Sequence, residues 1–101
     1  MALSKLQLSR LLETYGSLLT DKQREIVTMY CDCDCTLSEI ALELEITRQS
    51  VRDAILKATE TFEKLESSLQ LAEFVQNVNT AIQQKDENKI AELTKKFVGK
   101  E

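Results

Sequence analysis

The chain has 101 residues, 43 % hydrophobic and 30 % charged, which suits one compact domain and is too apolar for a disordered segment. A net charge of −4 and a pI near 4.9 work against a protein that lives by bulk electrostatic capture of phosphate. With no histidine and only two isolated glycines, there is neither the usual general base nor a phosphate-cradling loop, so neither an enzyme nor a cofactor is expected.

Proline is absent and helical periodicity runs almost throughout, which predicts an all-α fold. The amino terminus carries Lys5, Arg10 and Glu13 among its apolar residues. It therefore has neither the unbroken core of a signal peptide nor the length of a membrane span, and a cytoplasmic protein with no membrane partner is expected. Residues 4–15 read as a first amphipathic helix with Leu8, Leu11, Leu12 and Tyr15 on one stripe, and Gly16 is expected to close it in a left-handed conformation. Thr20 and Gln23 have capping-box spacing at the start of a second helix, whose buried face is Ile26, Val27 and Tyr30. The run Cys31-Asp32-Cys33-Asp34-Cys35 follows as a polar connector. Three thiols invite a metal reading, but the spacing is not C-x-x-C and Asp32 and Asp34 would have to complete the ligand set. Reduced thiols in a turn, with no metal, are the expectation.

The stretch Thr36–Ile55 carries the strongest local signal. Thr36 and Glu39 form a capping-box pair, Ile40, Ala41 and Leu44 repeat at helical spacing, and the chain turns around Glu45 and Ile46. Thr47 then caps a second helix whose buried face begins with Val51 and Ile55. This is the layout of a helix-turn-helix, whose second helix enters a major groove. Val51, Ile55, Ala58, Phe62, Leu65, Leu69 and Ala72 extend that helix into a heptad seam, a stem that packs either on the chain's own flanking helices or on a second chain as a homodimer. Residues 73–84 continue helically, residues 83–89 form a polar joint, and Ile90, Leu93 and Phe97 mark a last amphipathic helix. The expected division is a helix-turn-helix domain over 1–66 and a helical extension over 67–101.

Charge is unevenly spread. Residues 1–24 and 47–58 each sum to +2, whereas residues 25–46 hold Glu25, Asp32, Asp34, Glu39, Glu43 and Glu45 and no base. On the second helix of the motif, Arg48, Gln49 and Arg52 are expected opposite Val51 and Ile55. Arginine pairs with guanine and glutamine with adenine, and Lys57 lies further along within reach of phosphate. The candidate nucleic-acid-binding set is Thr47, Arg48, Gln49, Ser50, Arg52 and Lys57, with Asp53 projecting near the same face. Read from residues alone, duplex binding and a helical dimerisation module without nucleic acid both stay open.

The run from Leu12 to Ile26, LETYGSLLTDKQREI, together with Thr36–Ala41 and Thr47–Ile55, resembles the YlxM family of small bacterial helix-turn-helix proteins related to region 4 of sigma factors. The family's YGSLLT-x-KQ-x-x-I opening, its D-x-S-L-x-E-I-A helix and its S-R-Q-A-V helix correspond to Tyr15–Ile26, Asp34–Ala41 and Thr47–Val51. The likeness covers roughly residues 8–66. It departs at Glu45, where the family turn often has glycine, and at Cys31, where a second tyrosine is usual. The resemblance implies a sigma-region-4-like, winged-helix-like fold with the long recognition helix and C-terminal helices. It also implies an accessory or regulatory role in the bacterial signal recognition particle pathway, with the particle's GTPase or its RNA as partner. A DNA-binding transcriptional regulator is the alternative that the motif itself suggests.

Overall fold

A computed structural model describes residues 3–99 as six helices with no strand among them. These are α1 (Lys5–Tyr15), α2 (Asp21–Cys31), α3 (Leu37–Leu44), α4 (Arg48–Leu69), α5 (Leu71–Gln83) and α6 (Glu87–Val98), with one 3-10 turn at Gly16–Leu18. The expected winged-helix-like character is thus corrected: the described residues hold no β-hairpin to serve as a wing.

Helix starts follow local chemistry. Ser4 with Gln7, Thr20 with Gln23 and Thr36 with Glu39 all close reciprocal capping boxes, and Thr47 accepts from the Ser50 amide at 3.0 Å. Helix ends use a less common device. Asp34, Glu45, Gln70 and Lys85 all take positive φ, between 51° and 57°, where glycine would be the unstrained choice. Gly16 does not, and its expected left-handed role is corrected. Its φ is −58°, and a Cβ there would lie 3.1 Å from Leu12 Cδ1, so glycine lets the turn pack closely on α1 without Leu12 having to shift.

The core is one cluster in which Leu8, Leu12, Tyr15, Ile26, Val27, Ile40, Val51, Ile55, Ala58 and Phe62 are buried together. Phe62, fully buried, meets Tyr15 with ring centroids 6.3 Å apart. The heptad seam is therefore filled from within the chain by α1, α2 and α3, leaving Val51, Ile55, Ala58 and Phe62 no free face for a second copy. Nor does the seam run unbroken to Ala72. The rod ends at Leu69, Gln70 turns left-handed with φ 51°, and Ala72 belongs to α5. Of the two packings the seam allowed, Val51, Ile55, Ala58 and Phe62 take the one on the chain's own helices, while Leu69 stays exposed at the end of the rod.

The break at Gln70 is held by side chains far apart in sequence. Tyr15 Oη donates to Glu66 Oε1 at 2.7 Å and accepts from the Leu71 amide at 3.3 Å. Glu66 also accepts from the amides of Ala72 at 3.1 Å and Glu73 at 3.0 Å. Gln70 supplies no side-chain cap, so Glu66 and Tyr15 together satisfy the first three amides of α5. Burial, then the Glu66 hydrogen bond, raises the Tyr15 phenol above its ordinary value. Beyond this corner α5 and α6 form a hairpin in which Phe74 stacks on Phe97 at 4.4 Å. The polar joint expected at residues 83–89 is a tight turn, with Lys85 left-handed and the Asp86 amide bonded back to the Ala81 carbonyl at 2.9 Å.

Candidate nucleic-acid interface

The corner between α3 and α4 fixes the direction of the candidate surface. Glu45 adopts φ 57°, and the Ile46 amide reaches back five residues to the Ala41 carbonyl at 3.0 Å, a Schellman closure. Ile40 from α3 and Val51 and Ile55 from α4 are fully buried on either side of the turn. With that row facing the core, the first two turns of α4 must present their other sides outward.

Thr47, Arg48, Gln49, Ser50, Arg52 and Lys57 are all exposed. At 100° per residue, Gln49, Asp53 and Lys57 lie along the outermost line of α4, and Arg48 and Arg52 sit on one shoulder, nearer the buried row than directly opposite it. Arg48, Gln49, Arg52 and Asp53 form one contiguous strip. Thr47 and Ser50 face each other with oxygens 2.7 Å apart, so both hydroxyls are engaged in the cap. Gln49 donates through Nε2 to Asp53 Oδ1 at 2.8 Å, so the one amide suited to adenine is already tied to a carboxylate. Among the described residues no carboxylate pairs with Arg48, Arg52 or Lys57.

The acidic neighbours have structural duties. Glu39 accepts from the Thr36 amide at 2.9 Å, and that bond lowers its pKa. Asp34 pairs with Lys5 at 2.6 Å, and Ser9 donates to Asp32, so the cysteine connector is strapped to α1. Lys5 also lies 4.8 Å above the Tyr30 ring. These contacts account for Asp32 and Asp34 without a metal. Burial, and then Asp32, pushes the Cys31 thiol up to about 12, and burial also raises Cys35, which disfavours the thiolate that binds metal or attacks. No group among the described residues has the arrangement of a metal site. Likewise, no described helix is long and apolar enough to cross a membrane.

Two features eluded the sequence. The Glu66–Tyr15 corner joins residues 51 apart and has no local signature. The Gln49–Asp53 pair did have one, the i, i+4 spacing of an amide and a carboxylate on a helix.

Residues 3–98 match the model of a family described as "Putative helix-turn-helix protein, YlxM / p13 like". Among curated relatives, the UPF0122 protein of Mycoplasma capricolum is 38 % identical over 93 residues, covering 92 % of this chain and 80 % of the relative. That of Caldanaerobacter subterraneus is 49 % identical over 61 residues, 60 % of this chain and 52 % of the relative. A third, from Pediococcus pentosaceus, is 42 % identical over 65 residues, 64 % of this chain and 58 % of the relative.

Proposed function

The chain belongs to this YlxM/p13-like helix-turn-helix family, and on that premise we propose that it is a non-enzymatic regulatory protein that contacts nucleic acid through the first turns of α4. The finer reading is an accessory component of the bacterial signal recognition particle pathway, acting in the cytoplasm, with the particle's RNA or its GTPase as partner. That link rests on the family resemblance. The observation that carries the nucleic-acid reading is the exposed strip Arg48–Gln49–Arg52, held outward by the buried row of Val51 and Ile55.

The strip sets an upper limit on the grip. Three cations (Arg48, Arg52, Lys57) give a log–log salt slope no steeper than about −2.7 on a duplex, or about −2.1 on a single strand. A pull-down from bacterial lysate, with and without nuclease, tests the proposal. Recovery of the particle's RNA or its GTPase supports it, and failure to recover either at low salt overturns the finer reading. A duplex-binding transcription regulator is the second reading, favoured by an arginine and a glutamine at the first two positions of α4. It predicts loss of sequence preference on Arg52→Ala, and a gel-shift showing no duplex binding at low ionic strength removes it.

A further inference from the structure

We infer that the outer face of α5 is a self-association surface on which a second copy of this chain packs. Residues 74–84, Phe-Val-Gln-Asn-Val-Asn-Thr-Ala-Ile-Gln-Gln, contain no charged residue in a chain that is 30 % charged. They are nevertheless at the surface: Val75 is 40 % and Ile82 55 % exposed, and Gln76, Asn79, Thr80 and Gln83 lie open beside them. The neighbouring α6 shows what a solvated face looks like in this protein, with Glu87, Lys89, Glu92, Lys95 and Lys96 all exposed. Loss of charge combined with exposed apolar residues is the compositional mark of an interface core.

The shape of the molecule points the same way. Its radius of gyration is 16.0 Å, against about 13 Å for a compact domain of this length. The accessible surface is 7056 Å², about 1,200 Å² more than the roughly 5,800 Å² expected for a folded monomer of this mass. A standard interface takes about 800 Å² from each partner, so the excess is enough for one. Between α1 and α5 lies an open groove of about 800 Å³, with Leu3, Leu71 and Val75 on its apolar side and Arg10, Glu13 and Glu73 among its charged lining. No residue of α6 is fully buried, as expected of a two-helix hairpin lacking a third layer.

Charge decides which occupant fits. A nucleic acid or a strongly basic segment finds no counter-charge on residues 74–84, whereas a neutral strip meets its own copy without like-charge repulsion, even at a net charge of −4. Two-fold packing would place the uncharged face of α5 of each chain along that of the other, building a four-helix layer from two hairpins.

Sedimentation equilibrium and light scattering on the full chain test this. The wild type is expected to show twice the 11.5 kDa chain mass at tens of micromolar. Ile82→Glu and Val75→Glu, both at exposed positions, should weaken association at least tenfold with helical content unchanged, whereas Leu42→Glu on distant α3 should not. Amide exchange in the wild type locates the surface without any substitution, and protection over residues 71–83 should rise with protein concentration. A single-chain mass at millimolar concentration overturns the inference and assigns the strip to some other partner. So does a dimer whose concentration-dependent protection lies outside α5.

Discussion

Replacing Tyr15 with phenylalanine deletes one oxygen from the corner that ends α4. The ring stays buried against Phe62, so the substitution isolates the hydroxyl. That hydroxyl donates to the Glu66 carboxylate at 2.7 Å and accepts the Leu71 amide at 3.3 Å. A hydrogen bond to a charged group contributes about 1.5–3 kcal/mol, and the longer amide contact adds little, so a loss of about 2 kcal/mol is expected. For a domain of this size that lowers Tm by about 8–16 °C. Glu66→Ala should cost more, because it also strips the Ala72 and Glu73 amides of their acceptor and leaves the Tyr15 hydroxyl with no group to donate to. Urea unfolding of both single variants and the double variant, at one protein concentration, gives the coupling energy. About 1–2 kcal/mol is expected for residues sharing one network. A Tyr15→Phe variant within about 0.5 kcal/mol of wild type, or a cycle that is simply additive, would refute the idea that this corner fixes the helix break.

Three further outcomes follow from the remaining geometry. Asp53→Asn removes a negative charge from the α4 strip and loosens its hold on Gln49, so RNA or duplex affinity measured by fluorescence anisotropy should rise several-fold, about 1 kcal/mol. An unchanged or weaker affinity would exclude the strip as the contact. Glu45→Gly relieves a left-handed conformation at some cost in unfolded-state entropy, for a net gain of up to about 1 kcal/mol in thermal stability, and a loss would contradict the strain. The Lys5–Asp34 pair lowers the Asp34 pKa and raises that of Lys5, chiefly through their shared hydrogen bond. Its contribution is present at neutral pH, and is lost as pH falls through the depressed Asp34 value or rises through the elevated Lys5 value. The stability gap between wild type and Lys5→Met should therefore be flat near neutrality and close on acidification below the ordinary carboxylate range. A gap that persists there would assign the effect of Lys5 to its packing on Tyr30.

What was legible in the sequence was local. The Thr20–Gln23 and Thr36–Glu39 boxes obey an i, i+3 rule that requires no knowledge of the fold, and both formed as read. Ile40, Val51 and Ile55 were recoverable because a 3.6-residue period marks one face whatever covers it. The same period misled at Gln70. Apolar spacing runs on from Leu69 to Ala72, no glycine or proline interrupts it, and the break depends on Tyr15, more than fifty residues away. Gly16 shows a second kind of ambiguity, since glycine serves equally for positive φ and for close approach, and only the position of Leu12 distinguishes them. In the candidate interface, the exposure of Gln49 followed from the buried row, whereas that of Arg48 and Arg52, on the shoulder beside the row, needed the helix itself.

Electrostatics ties the two proposals together. Across residues 36–58, Glu39, Glu43, Glu45 and Asp53 outnumber Arg48, Arg52 and Lys57, so the whole motif carries a net −1. On the proposed reading, one such motif with three cations at most would lose about 40-fold in duplex affinity between 50 and 200 mM salt, from a weak start. Two motifs in one particle would engage six cations, doubling the salt slope to about −5.4, and would turn the second contact into an intramolecular one. On both proposals together, the acidic helix would act as a filter. It would penalise a polyanion that touches only one α4 more than a ligand whose geometry meets both strips. A strip on α5 with no charge is suited to bringing two such acidic chains together, because it is the part of the surface where their mutual repulsion is least.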